Sequence, residues 1–137
     1  MTKKTEFPLY LLEAFSFDIF GAQQKIGEET KQIPGLLNKK ELYQPIKVHL
    51  KRLGTKLLEE DKSFKDQIKE LRKEYYNEPE KEGDTPILKE GVTELEVNEK
   101  AQEMYNTKIS IEHYDFKLED FNYQWEENFA IIDFITA

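Results

Sequence analysis

The chain has 137 residues, no cysteine, and 28 acidic against 20 basic side chains, a formal net charge of -8. These figures exclude disulfides, thiolate metal sites and cysteine nucleophiles, and no apolar run approaches the ~20 residues of a membrane span. Nine Phe, seven Tyr and one Trp supply core material that disordered chains lack, so residues 1–137 are expected to fold as one domain.

The basic start at Met1–Glu6 leads into a run that Pro8, Glu13 and Asp18 interrupt. That is not the pattern of a secretory leader, so neither secretion nor a membrane location is expected. From Phe7 to Ile33 the pattern is ambiguous. Leu9, Leu12, Ile19, Ala22 and Ile26 fit a helical stripe, whereas Phe15, Phe17 and Ile19 fit a strand's period of two. The abundance of Leu, Glu, Ala, Gln and Lys favours helix, although Gly21 and Gly27 each cost about 1 kcal/mol there relative to alanine. Pro34-Gly35 ends the segment.

Pro45 opens the clearest element, because its missing N–H falls where a helix has no internal partner. Ile46, Leu50, Leu53, Leu57, Phe64, Ile68, Leu71 and Tyr75 follow at steps of three, four or seven, forming one apolar stripe. The predicted helix covers 45–76 and is about 48 Å long. Gly54 and Glu60-Asp61 mark where a bend would fall, and Ser63 could cap a second helix.

Asn77–Asp84 is a polar breaker. Thr85–Lys89 and Val92–Val97 then look like two short strands around Glu90-Gly91, a hairpin turn signal. Asn98 is a candidate N-cap for a helix from Glu99 to Asn106, with Ala101, Met104 and Tyr105 as its apolar side. Lys108–Leu118 carries a strand signal whose parity slips between Ile109/Ile111 and Tyr114/Phe116/Leu118, which calls for a bulge near Glu112-His113. After a connector at Leu118–Asn122, Trp125–Ile135 reads as a short helix. It is apolar nearly all round, so it must be buried in this core or against another chain. The expected class is α+β, mostly helical. The long helix 45–76 packs with a second helix, a small β-hairpin and a short C-terminal helix, and residues 1–34 stay open between helix and strand.

Charge is segregated. Residues 1–55 hold nine basic and six acidic side chains, and residues 56–137 hold eleven and twenty-two. Lys39, Lys40, Lys47, Lys51, Arg52 and Lys56 face a single acid within their own segment. The two ends are either solvated faces or mutually attracting surfaces, within one molecule or between copies.

The inventory for chemistry is poor. His49 and His113 are assigned surface or capping roles, because a strand points Glu112 and His113 to opposite faces and zinc needs three or four ligands. No carboxylate run resembles a calcium loop, no Gly-rich phosphate loop is present, and Ser16, Ser63 and Ser110 lack a nucleophile elbow. No catalytic, cofactor-binding or metal residue is assigned, and no cofactor is expected. The cationic cluster could touch phosphate. It lacks interleaved exposed aromatics, however, and the chain is acidic overall, so nucleic acid is not an expected partner.

The order of elements carries one resemblance. A long amphipathic helix ends in Glu70-Leu71-Arg72-Lys73-Glu74-Tyr75. An acidic turn, a second helix in NEKAQEMYNTK and the strand Ile109-Ser110-Ile111 follow. Over Gly35–Ala137 this resembles small, poorly characterised proteins of tailed bacteriophages. The resemblance implies a phage origin, a place in the virion or host cytoplasm, and no enzymatic activity, and it transfers no site residues. The expected function is therefore non-enzymatic: a virion or assembly component acting through protein contacts, with phage structural proteins or its own copies as partners. Its interface residues would be Trp125, Phe129, Ile132 and Ile135, with Lys47, Lys51 and Arg52. The alternative for the aromatic set is that it fills this chain's own core. Alternative functions are an inhibitor of a host or defence protein using an acidic, DNA-mimicking surface, and a metal-assisted enzyme built on a carboxylate cluster.

Overall fold

The computed structural model describes residues 2–77, 87–123, 125 and 128–137. Its spine is α2, Gln44–Tyr75, one unbroken helix with Pro45 in its first turn. The stripe buries Ile46, Leu50, Leu53, Leu57 and Phe64. Neither suspected bend occurs. Gly54 instead lets α1, Leu12–Phe20, approach closely: a Cβ at residue 54 would stand 2.6 Å from Phe20 Cε2 and 3.0 Å from Ile19 Cγ2. Asp61, in the polar seam, is held by Lys65 at 3.0 Å.

The N-terminal segment, left open between helix and strand with helix favoured over Phe7–Ile33, is mixed. β1, Thr2–Pro8, comes first, followed by a 3-10 turn at Leu9–Leu11 and α1. Gly21 ends α1 by adopting φ +85°, with its N–H donating to Phe17 O at 2.7 Å. A glycine takes that backbone geometry at no steric cost. β2, Ala22–Ile26, and β3, Glu29–Ile33, form an antiparallel hairpin. Its two-residue turn has Gly27 at φ +63°, the residue a type II′ turn requires first.

β1 pairs antiparallel with β6, Lys108–Tyr114, from Thr2↔Tyr114 to Pro8↔Lys108. The register runs unbroken, so the expected bulge is absent. Ile111 and His113 point inward and β6 ends at Tyr114, while Phe116 reaches the core from beyond the strand. The parity slip marks the chain leaving the sheet.

The expected hairpin of 85–97 is also corrected. α3 spans Glu94–Asn106, capped by Thr93, whose Oγ1 accepts from Glu96 N at 3.2 Å. The cap is therefore Thr93 and not Asn98, and Val92–Val97 is not a strand. The small pair is instead β4, Tyr76–Asn77, with β5, Ile87–Leu88. Residues 78–86, with most of the polar breaker, lie outside the described residues. So do residues 126–127 of the expected C-terminal helix, whose described helical part is only α4, Ile131–Ile135. Asp18 Oδ2 accepts the Ile131 N–H at 3.1 Å, which satisfies an orphan donor of α4. Burial raises the Asp18 carboxyl pKa, and this hydrogen bond opposes the rise.

The class is thus α+β and mostly helical. One cluster of buried side chains runs from Phe7 to Ile135 and draws on α1, α2, β1, β6 and α4. Phe15 sits at its centre, 5.1 Å from Phe7 and 5.0 Å from Phe134 between ring centroids. Among the described residues no helix is long and apolar enough to cross a membrane.

Candidate interaction surface

The seven side chains expected at an interface separate into two groups. Phe129 and Ile135 are 6% and 2% exposed and lie in the core cluster, with Trp125 and Ile132 packed against it. The Trp125 indole N–H donates to the Glu41 carboxylate, and Trp125 meets Phe129 edge to face at 5.6 Å. The Lys39 ammonium lies 5.6 Å from the Trp125 ring centre, within cation–π reach. This aromatic set is spent closing the C-terminus onto the segment before α2. Phe129 and Ile135 thus lie in this chain's own core, while Trp125 and Ile132 stay half-buried at its edge.

Lys47, Lys51 and Arg52 are different. They lie on the first half of α2, with Lys51 and Arg52 exposed and Lys47 half-buried. Ion pairs among the described residues form elsewhere: Asp115 with Lys117 at 2.9 Å and with Lys3 at 3.8 Å, and Lys65 with Asp61 at 3.0 Å. None of Lys47, Lys51 and Arg52 forms a close ion pair with a carboxylate among the described residues, and Lys47 interacts with the Glu41 carboxylate at longer range. The helix that carries them sits on the rigid core through Leu50 and Leu53, at 0% and 2% exposure, so the cations are presented from a fixed platform.

Beside them runs a groove of about 640 Å³ between α2 and β6. Its α2 wall carries His49, Arg52 and Lys56, and its sheet wall carries Glu112, His113 and Tyr114. His49 stacks on Tyr114 at 3.9 Å and 5° between planes. Lys56 Nζ donates to Glu112 O at 2.7 Å, tying the helix to the edge of β6, and Glu59 lines the same groove.

His113 is not at the surface, which corrects the role expected for it. It is 5% exposed. Its Nδ1 lies 2.7 Å from Tyr114 O, and its Nε2 lies 2.6 Å from Thr5 Oγ1. A carbonyl only accepts, so Nδ1–H donates and the neutral ring accepts the Thr5 hydroxyl proton at Nε2. A hydroxyl within reach of an imidazole has the spacing of a nucleophile and its base. Here the far nitrogen meets a carbonyl and not a carboxylate, Thr5 is 8% exposed, and the pair braces β1 against β6. Among the described residues no three His, Asp or Glu side chains gather to hold a metal.

Burial is the main cause that lowers the His113 pKa from its ordinary 6.5, aided by Lys3 and Lys56 and opposed by the Tyr114 carbonyl and Asp115. The unfolded chain then binds more protons than the folded one just below pH 6.5, so stability falls as pH drops through that value. The melting temperature is expected to fall between pH 7.5 and 5.5, and His113→Gln to flatten that slope. Parallel slopes in the two proteins would refute the assignment.

Comparisons with protein-family models, with curated proteins and with solved structures find no match to this chain.

Proposed function

We propose that this chain works by binding another protein, with no reaction of its own, and that its docking surface is the cationic first half of α2. The observation that carries this is the row Lys47, Lys51 and Arg52, which form no ion pair among the described residues, on a helix whose other face is locked into the core. Cations left uncompensated in a chain of net charge -8 steer and orient an acidic partner, where they strengthen association and suppress wrong docking. The same net charge disfavours a nucleic-acid backbone as the ligand. The resemblance of element order to small tailed-phage proteins supports a virion or assembly role, with an acidic segment of a phage structural protein as the partner.

The test is incorporation. A triple variant, Lys47→Glu, Lys51→Glu and Arg52→Glu, is expected to keep its far-ultraviolet dichroism, because surface changes of this kind usually move stability by under about 0.5 kcal/mol each. Mass spectrometry of purified particles should then find the variant depleted by about tenfold or more, and the wild type released as salt screens the contact. Equal incorporation of variant and wild type would contradict the proposal.

A further inference from the structure

Among the described residues the β2–β3 hairpin packs closely against no other element. Every residue from Gln23 to Ile33 is exposed, and Ile26 and Ile33 are 58% and 39% exposed. A two-stranded hairpin in water is marginal, and three or more strands with an apolar face, or packing against a helix, are needed for stability. The pairings Ala22↔Ile33, Gln24↔Lys31 and Ile26↔Glu29 put Ala22, Ile26 and Ile33 on one face. Both outer edges present unpaired N–H and C=O groups, and neither carries a proline or a bulge to block pairing.

We infer that two copies of this chain join through their β2 edges, antiparallel about a two-fold axis at Gln24, to make one four-stranded sheet. A two-residue turn makes Ile26↔Glu29 a hydrogen-bonded pair, so residues 22, 24 and 26 bond inward to β3 and residues 23 and 25 bond outward. A two-fold axis at Gln24 sets Gln23 of one copy opposite Lys25 of the other. The two outward-bonding residues therefore meet and exchange four hydrogen bonds. Ala22 falls opposite Ile26, which gives rows of Ile26, Ala22 and Ile33 across the joined sheet, and Gln24 falls opposite its own copy. No like charges are paired. On the outer edge of β3 the matching axis, at Lys31, sets two lysines face to face at the closest cross-strand spacing, which is destabilising. The hairpin holds two lysines and two glutamates, so the local charge is zero although the whole chain is acidic. This contact is independent of the cationic face of α2.

Sedimentation of the full chain over a concentration series tests it. The expected result is a reversible dimer in which the Gln23 and Lys25 amides gain exchange protection with concentration, while those of Thr30 and Gln32 do not. Gln24→Glu places a carboxylate opposite Lys31 within the hairpin but opposite its own copy across the two-fold axis. It should keep the hairpin and weaken the dimer about fivefold, with recovery in salt. Thr30→Pro removes an outward N–H of β3 and should leave dimerisation unchanged. A monomer at every concentration, a Gln24→Glu dimer as tight as wild type, or loss of the dimer in Thr30→Pro would each overturn the inference.

Discussion

Phe15→Ala is expected to destabilise the chain by about 3–5 kcal/mol, the usual cost of truncating a buried phenylalanine. Phe15 is 1% exposed and its ring bridges Phe7 of β1 and Phe134 of α4. The cavity therefore opens where α1 meets β1 and the sequence-distant α4, and each lost ring contact adds to the transfer term. Phe17, two residues on, is 48% exposed, and Phe17→Ala should change stability by under about 0.5 kcal/mol. Urea denaturation of the pair gives the comparison. Similar midpoint shifts for both would mean that this segment buries alternate residues as a strand and not as α1.

Gly35→Ala should cost about 3 kcal/mol, at the upper end of overpacking. A Cβ there would stand 2.2 Å from Gly21 N, 2.6 Å from Ile19 O and 2.7 Å from Phe20 C. All three are backbone atoms, so no rotamer change relieves the clash and the base of the hairpin must move away from the end of α1. The fall should appear in the thermal midpoint, with lost exchange protection in 21–35 preceding global unfolding. A Gly35→Ala protein as stable as wild type would show that the hairpin base is loose.

The spine was readable because its information is local. The stripe from Ile46 to Tyr75 repeats at helical spacing, and burial of Leu50, Leu53 and Leu57 on one side follows from it. β1 was not readable for the opposite reason. Thr5 and Phe7 alternate inward only because β6 lies beside them, and the partner of Thr2 is Tyr114, a pairing that no window of sequence contains. At Val92–Val97 two local signals compete. Thr93-x-x-Glu96 is a capping pattern, and a cap that satisfies a helix's first amides outweighs a few alternating apolar residues.

The surface divides in the same way. Charge counting alone singled out Lys47, Lys51 and Arg52, because a cationic run on a helix whose apolar stripe is known has one place to point. The aromatic C-terminus could not be assigned from sequence, since Trp125 is committed to this core by Glu41 and Lys39, far away in the chain. His113 was missed because its environment comes from Thr5, on the other strand of the sheet.

Docking through the cationic face of α2 is tested most directly by tagging lysine amines in the free chain and in purified particles, then comparing reactivities by mass spectrometry. Lys47 and Lys51 are expected to lose reactivity severalfold in the particle, while Lys73 and Lys100, paired among the described residues with Glu70 and Glu103 on exposed helix faces, keep theirs. Unchanged reactivity at Lys47 and Lys51, or shielding confined to Lys73 and Lys100, would contradict it.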